Sequence, residues 1–246
     1  METPQWMSRT NLLLGDEAIV RLMRAHVLVV GLGGVGGICA EMIARAGVGQ
    51  MTLIDADTVE ASNRNRQLPA LVSTDGKYKA EVLAERIRDI NPDIKLTIIN
   101  EFLKRESRPD ILTPGKFDYV ADCIDTLSPK VNLIKDCIEH KIPVVSSMGA
   151  GSKVDPTQVK ITDISRTYNC KLAYYVRKKL HNIGIYKGLK VVFSAERPTE
   201  KRMLLADSGP KKSVVGTISY MPAVFGCSVA SVVIRDLTMA QYLSNG

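Results

Sequence analysis

Five consecutive residues, Asn63-Arg64-Asn65-Arg66-Gln67, with Lys79 twelve positions further on, carry the densest polar chemistry in this sequence. They follow a glycine-rich stretch, Gly31-Leu32-Gly33-Gly34-Val35-Gly36. Glycines after a strand let main chain approach a phosphate, and the N-terminus of the next helix offers free N–H groups to it. Asp55 follows Gly36 by nineteen residues, a spacing that suits a carboxylate accepting hydrogen bonds from a ribose. To this point the pattern fits a dinucleotide as well as a nucleoside triphosphate. Asn63, Arg66, Gln67 and Lys79 favour the triphosphate, whose β and γ groups carry charge that a helix end alone does not balance. Asp125 is a suitable magnesium ligand, because a hard cation of that size takes one or two carboxylates alongside phosphate oxygens. Asp122 competes for that role, but a position inside a strand turns it from a crevice at the strand end.

The elements that must position these residues alternate. Strand-like runs at 26–30, 51–54, 94–99, 118–124 and 143–147 are separated by helical spacing at 35–46, 79–90 and 129–140. Repeated strand–helix–strand units predict an α/β, Rossmann-like, doubly wound and mostly parallel sheet, whose ligands bind beyond the carboxyl ends of its strands. After Gly149-Ala150-Gly151 the pattern changes. Strands at 158–162 and 190–193 flank a basic helix at 170–180, the charged stretch 198–213 reads as a mobile loop, and residues 220–243 read as a last, apolar helix. We therefore expect a nucleotide-binding, Rossmann-like core over residues 1–150, for which the resemblance described below implies ATP-dependent adenylation, and a basic α/β extension over 151–246 of the same globular unit.

Charge follows that division. Of the net +7, residues 1–150 contribute −2 and residues 151–246 contribute +9, which suggests a polyanionic partner for the latter. Lys171, Arg177, Lys178 and Lys179, with Tyr174-Tyr175 among them, and Lys211-Lys212 are the candidate RNA contacts; a solvated basic face is the alternative. Five cysteines without a C-x-x-C pair exclude paired metal-ligand spacing and a disulfide framework, and point to a reducing cytoplasm. The N-terminus lacks a basic segment followed by an apolar run, so no signal peptide is expected. The most apolar late stretch, 223–234, is too short to span a bilayer and predicts a buried helix without a membrane span.

Taken together, Gly31 to Gly36, Asp55-Ala56-Asp57, Asn63 to Gln67, Lys79 and Cys123-Ile124-Asp125 resemble, in order and spacing, the ATP-adenylating domain of the ThiF/MoeB and ubiquitin-activating-enzyme superfamily. The resemblance implies that Gly31, Gly33, Gly34, Gly36, Asp55, Asp57, Asn63, Arg66, Gln67 and Lys79 bind ATP, with Asp55 on the ribose. It implies that Arg66, Lys79 and Asp125 are catalytic, that Asp125 binds Mg2+, and that Arg9 enters the site of the partner subunit in a homodimer. Asp155-Pro156-Thr157, Ile161 to Ile164, Phe193 to Glu196 and Gly216 to Ser219 resemble the subfamily of tRNA threonylcarbamoyladenosine dehydratases. That implies a tRNA substrate whose threonylcarbamoyl carboxylate is adenylated and closed into a ring, with a sulfur-transfer or cysteine-desulfurase protein as a further partner. Lys171 stands where that subfamily has proline after Cys170.

Two alternatives stay open. Sulfur-carrier-activating relatives usually bind a structural zinc through two C-x-x-C pairs, which this sequence lacks, so adenylation of a carrier protein's C-terminus is the weaker enzymatic reading. A non-catalytic, nucleotide-regulated RNA-binding or sulfur-relay scaffold has no need of Arg66, Lys79 and Asp125 together; Cys227 reads as a buried residue of the last helix, with sulfur handling as the alternative.

Overall fold

The computed structural model describes residues 3–103, 108–197, 203–205 and 213–239. Two short helices, α1 (Ser8–Leu14) and α2 (Asp16–Arg24), precede an alternating run. It comprises β1 (His26–Val30), α3 (Gly36–Arg45), β2 (Gln50–Ile54), α4 (Lys79–Ile90), β3 (Lys95–Ile99), α5 (Arg108–Ile111), β4 (Tyr119–Asp122), α6 (Leu127–Glu139) and β5 (Val144–Ser147). Then come β6 (Val159–Asp163), α7 (Lys171–His181), β7 (Lys190–Ser194), β8 (Met203–Leu205), β9 (Ser213–Val215) and α8 (Tyr220–Met239).

Among the described residues, seven strands form one sheet in the order β3-β2-β1-β4-β5-β7-β6, parallel throughout except for β6, which runs antiparallel to β7 at the edge. The inner strands β1 and β4 are apolar runs such as Val27 to Val30, buried on both faces, as a parallel sheet under two helical layers requires. Strand order reverses between β1 and β4. Their carboxyl ends therefore part, and the crevice between them is the expected ligand site of such a sheet. The glycine stretch leaves β1 there, and Cys123 to Asp125 leave β4. Strands β6 and β7 continue the same sheet, so chain from both sides of residue 150 shares one layer.

One expectation changes. The charged stretch 198–213 is not wholly loop: β8 lies within it and pairs antiparallel with β9, Met203 opposite Val215. A main-chain ladder needs no apolar alternation, so periodicity could not announce it; Lys211 and Lys212 lie outside the described residues. The last helix lies within the expected 220–243, and at 20 residues it is, unlike its twelve-residue apolar centre, long and apolar enough by composition to cross a bilayer. Its packing assigns it to the core instead. Phe225, Val229 and Val233 are buried against the α3 side of the sheet, and Asp236 pairs with Lys190 and accepts the Tyr119 hydroxyl at 2.7 Å.

α8 reaches α3 only because residue 226 is glycine. A Cβ there would lie 2.5 Å from the Val35 carbonyl oxygen and 2.8 Å from Ile38 Cβ. Gly226→Ala should therefore wedge the two helices apart and cost about 1–3 kcal/mol, as overpacking does. Chemical denaturation measures this; an unshifted midpoint would show that the helices have room to spare.

Candidate active site

The turn from β1 into α3 leaves almost no room for side chains. Gly31 takes φ +84°, and a side chain there would meet the Cys123 carbonyl oxygen at 2.9 Å. A Cβ on Gly36 would run into the Gly31 carbonyl. Around this turn the sequence-predicted residues converge. Asp55, just past β2, accepts the Leu32 N–H at 2.5 Å and the Asp57 N–H at 2.8 Å. Burial raises its pKa above the ordinary aspartate value, against the pull of those two N–H bonds and of Lys79. A carboxylate so placed is fixed in position and short of water, which suits paired ribose hydroxyls.

The pentad folds as a one-turn 3-10 helix, Ala61–Asn63, and a following turn. Asn63 is buried, and its Oδ1 accepts the Glu60 N–H at 3.3 Å. Arg64 points away to Asp75, 3.1 Å distant. Arg66 is half-buried, and its Nη1 donates to the Ser62 carbonyl and to Asn65 Oδ1. Those bonds use one nitrogen of a guanidinium with five N–H donors. A side chain at Gly34 would meet the Arg66 carbonyl at 3.2 Å and Pro222 of α8 at 2.9 Å, so pentad, glycine turn and last helix touch at one point. Gln67 lies over Gly33, and its Oε1 is buried with no hydrogen-bond partner among the described residues. Turned over, the amide would present Nε2, the donor a phosphate oxygen takes.

Lys79 opens α4 and is buried. Its Nζ lies 2.9 Å from Asp57 Oδ2, whose side chain is half open to solvent. The ammonium keeps two further donors. Asp125 follows β4 and is exposed, with the Thr126 hydroxyl 3.3 Å from Oδ1. Arg9, on α1, is exposed beside Leu12 and Leu13, which are 91% and 81% exposed. Lys171, Lys178 and Lys179 are exposed on α7, whereas Arg177 Nη1 donates to the Thr167 carbonyl and hydroxyl and so helps hold the helix in place.

Sequence reasoning missed the support beneath Asp125. Lys130, fully buried in α6, donates to Asp122 Oδ2 at 2.6 Å and to Ser146 Oγ at 3.0 Å. The Ser146 hydroxyl donates to the same Asp122 oxygen at 2.6 Å. Asp122 Oδ1 accepts the Ile124 N–H, so the triad fixes the turn that carries Asp125. Asp122 is thereby spent internally. Eight residues separate Asp122 from Lys130, a distance that no periodic pattern marks.

A model of the ThiF family matches residues 7–245. The chain belongs to the ThiF family. Among individual members, the tRNA threonylcarbamoyladenosine dehydratase of Bacillus subtilis is 39% identical over 238 residues, covering 94% of this chain and 93% of that protein. The Escherichia coli tRNA N6-threonylcarbamoyladenosine dehydratase, solved in complex with ATP, superposes with a TM-score of 0.88 at 36% identity, over 98% of this chain and 97% of that one. The same enzyme in complex with AMP gives 0.87 at 36% identity, over 100% and 99%. The ThiF-family fold thus extends over both chains nearly end to end, basic C-terminal portion included.

The buried triad yields a stability prediction. Lys130→Met leaves the Asp122 carboxylate buried without its cation and should cost about 3–5 kcal/mol in denaturant titrations. Lys130→Met/Asp122→Asn should recover part of that loss; equal losses in both variants would mean that the pair is not coupled.

Proposed function

We propose that this ThiF-family chain is an ATP-dependent tRNA threonylcarbamoyladenosine dehydratase. The observation that carries the reading is the end-to-end match, in sequence and in fold, to enzymes named for that reaction, one of them solved with ATP and with AMP. The chemistry of the crevice supports it. A carboxylate cannot expel oxide at neutral pH, so a ring closes on it only after activation. A carboxylate oxygen of the threonylcarbamoyl group attacks the α-phosphorus of ATP and pyrophosphate leaves. A nitrogen of the same substituent then attacks the acyl carbon, and AMP departs with the carboxylate oxygen. The net change in the nucleoside is loss of one water.

In this reading Gly31, Gly33, Gly34 and Gly36 admit the phosphates, Asp55 holds the ribose, and Asn63, Arg66, Gln67 and Lys79 hold the phosphate chain. Arg66 and Lys79 oppose the charge that grows as pyrophosphate leaves. The donor set also fits Mg2+: no cluster of three metal-ligating side chains occurs among the described residues, but one carboxylate, Asp125, stands at the crevice, and phosphates and water supply the rest. Bound there, the ion would neutralise phosphate charge. The bare apolar face of α1 supports a homodimer, into whose second site Arg9 would reach. Free cysteines suit a reducing cytoplasm. Lys171, Lys178 and Lys179, with Lys211 and Lys212, would grip tRNA phosphates.

The scaffold reading loses support at Cys227. Its thiol is exposed, yet partial burial pushes its pKa up, the wrong direction for a sulfur-carrying thiolate.

Incubation with ATP, Mg2+ and modified tRNA, followed by mass spectrometry of the nucleosides, should show one water lost per modified base. Unchanged mass with ATP bound would contradict the proposal. Arg66→Ala should slow turnover on the order of a hundredfold or more with tRNA affinity nearly intact. Lys178→Ala/Lys179→Ala should instead weaken tRNA binding and flatten its salt dependence; a salt response equal to that of the wild type would remove α7 from the RNA surface.

A further inference from the structure

Next to the pentad lies a shallow cavity of about 210 Å3, lined by Ser152, Lys153, Val154, Gly216, Thr217 and Ile218. Asn65 Nδ2 donates to the Thr217 carbonyl at 3.0 Å, so one wall is tied to the residue preceding Arg66. Val154 and Ile218 are apolar, yet they are 44% and 42% exposed. Both walls are rigidly held. The Glu196 carboxylate accepts the Val154 and Asp155 N–H groups at 2.9 Å, and the Tyr220 hydroxyl donates to the Val154 carbonyl at 2.9 Å. The Ser152 N–H donates across to the Gly216 carbonyl at 2.8 Å. Beneath them, the buried Lys153 ammonium donates to the main-chain carbonyls of Asn169 and Glu196 and so joins the wall to the end of β7.

One group in this arrangement lacks a counterpart. Ser152 is buried, its Oγ has no hydrogen-bond partner among the described residues, and its main chain takes φ +59°, a left-handed conformation that serine rarely adopts. Orphaned buried hydroxyls are costly, and an outlier of backbone and bonding together marks a site better than either alone.

We propose that this cavity receives the modified base itself, an unstacked purine nucleotide held between Val154 and Ile218 with its polar edge on the Ser152 hydroxyl. The inference rests on the dehydratase reading and deepens it. A base inside a helical stack cannot present its substituent to an enzyme, so it must be extruded and stacked on apolar side chains instead. The volume is below the roughly 300–1,000 Å3 of sites for larger ligands and suits one planar heterocycle. The pentad forms its border, so the carboxylate at the far end of the substituent is directed towards Arg66 and the phosphates.

The test is equilibrium binding of tRNA with and without threonylcarbamoyladenosine, by fluorescence anisotropy. It compares the full chain with Val154→Ala/Ile218→Ala and with Ser152→Gly, which keeps the left-handed conformation. ATP affinity and circular dichroism report the fold. The wild type should prefer the modified tRNA. The double variant should lose about tenfold on modified tRNA, as removal of methyl groups from an apolar pocket does, with unmodified tRNA and ATP unaffected. Ser152→Gly should lose part of the preference. Retention of the full preference by both variants overturns the proposal, as does equal weakening of both tRNAs. A wild type that neither discriminates nor removes water would instead refute the substrate assignment, and the pocket proposal with it.

Discussion

The crevice depends on how little room the β1–α3 turn leaves. Gly31 is pressed against the Cys123 carbonyl at the end of β4, Gly36 against Gly31, and Gly34 against both Pro222 and the Arg66 main chain. Three distant stretches of chain are thereby brought to one point: the strand end that carries Asp125, the pentad, and the start of α8. Bare main chain is what a phosphate-binding turn would need for its ligand, and here the same bareness is needed for packing. The last helix is part of the site for this reason, although none of its side chains is asked to do chemistry.

Two lysine–aspartate pairs divide the electrostatic work by their burial. Lys130 and Asp122 are both sealed from water, and the Ser146 hydroxyl completes their bonding. Such a pair contributes little net stability over an apolar replacement, but it is costly to break, and so it serves to fix the turn before Asp125. Lys79 and Asp57 differ: the lysine is buried while the aspartate remains half in water. That ammonium is held at the crevice without being fully consumed, and it can meet a phosphate oxygen with the donors left over. Arg66 is built similarly, with one nitrogen anchored to its own turn and the remainder of the guanidinium uncommitted by those bonds.

The alternation of strands and helices over the first 150 residues was legible because buried parallel strands read as short β-branched runs and their helices as stripes. The candidate binding residues could be named from sequence because phosphate recognition needs particular side chains at strand ends, and the structure gathers Asp55, Arg66 and Gln67 around one turn. What escaped were features made by distant chain. Lys130 looks like any helical lysine until Asp122 and Ser146 face it from neighbouring strands, and the β8–β9 ladder is written in main-chain hydrogen bonds. The last helix was legible over 220–243, but not the tertiary bonds of its polar residues, the Tyr220 hydroxyl to the Val154 carbonyl and Asp236 to Tyr119 and Lys190. Ser152 and Lys153 drew no notice as residues; only the cavity they line gives them a role.

The central claim is that the substrate carboxylate is adenylated before the ring closes. Its most direct test is a single turnover on tRNA whose threonylcarbamoyl carboxylate carries oxygen-18, with mass spectrometry of the AMP formed. Attack on the α-phosphorus predicts that the label leaves in AMP, one heavy oxygen per turnover. Label found in water or in inorganic phosphate, with unlabelled AMP, would contradict the account.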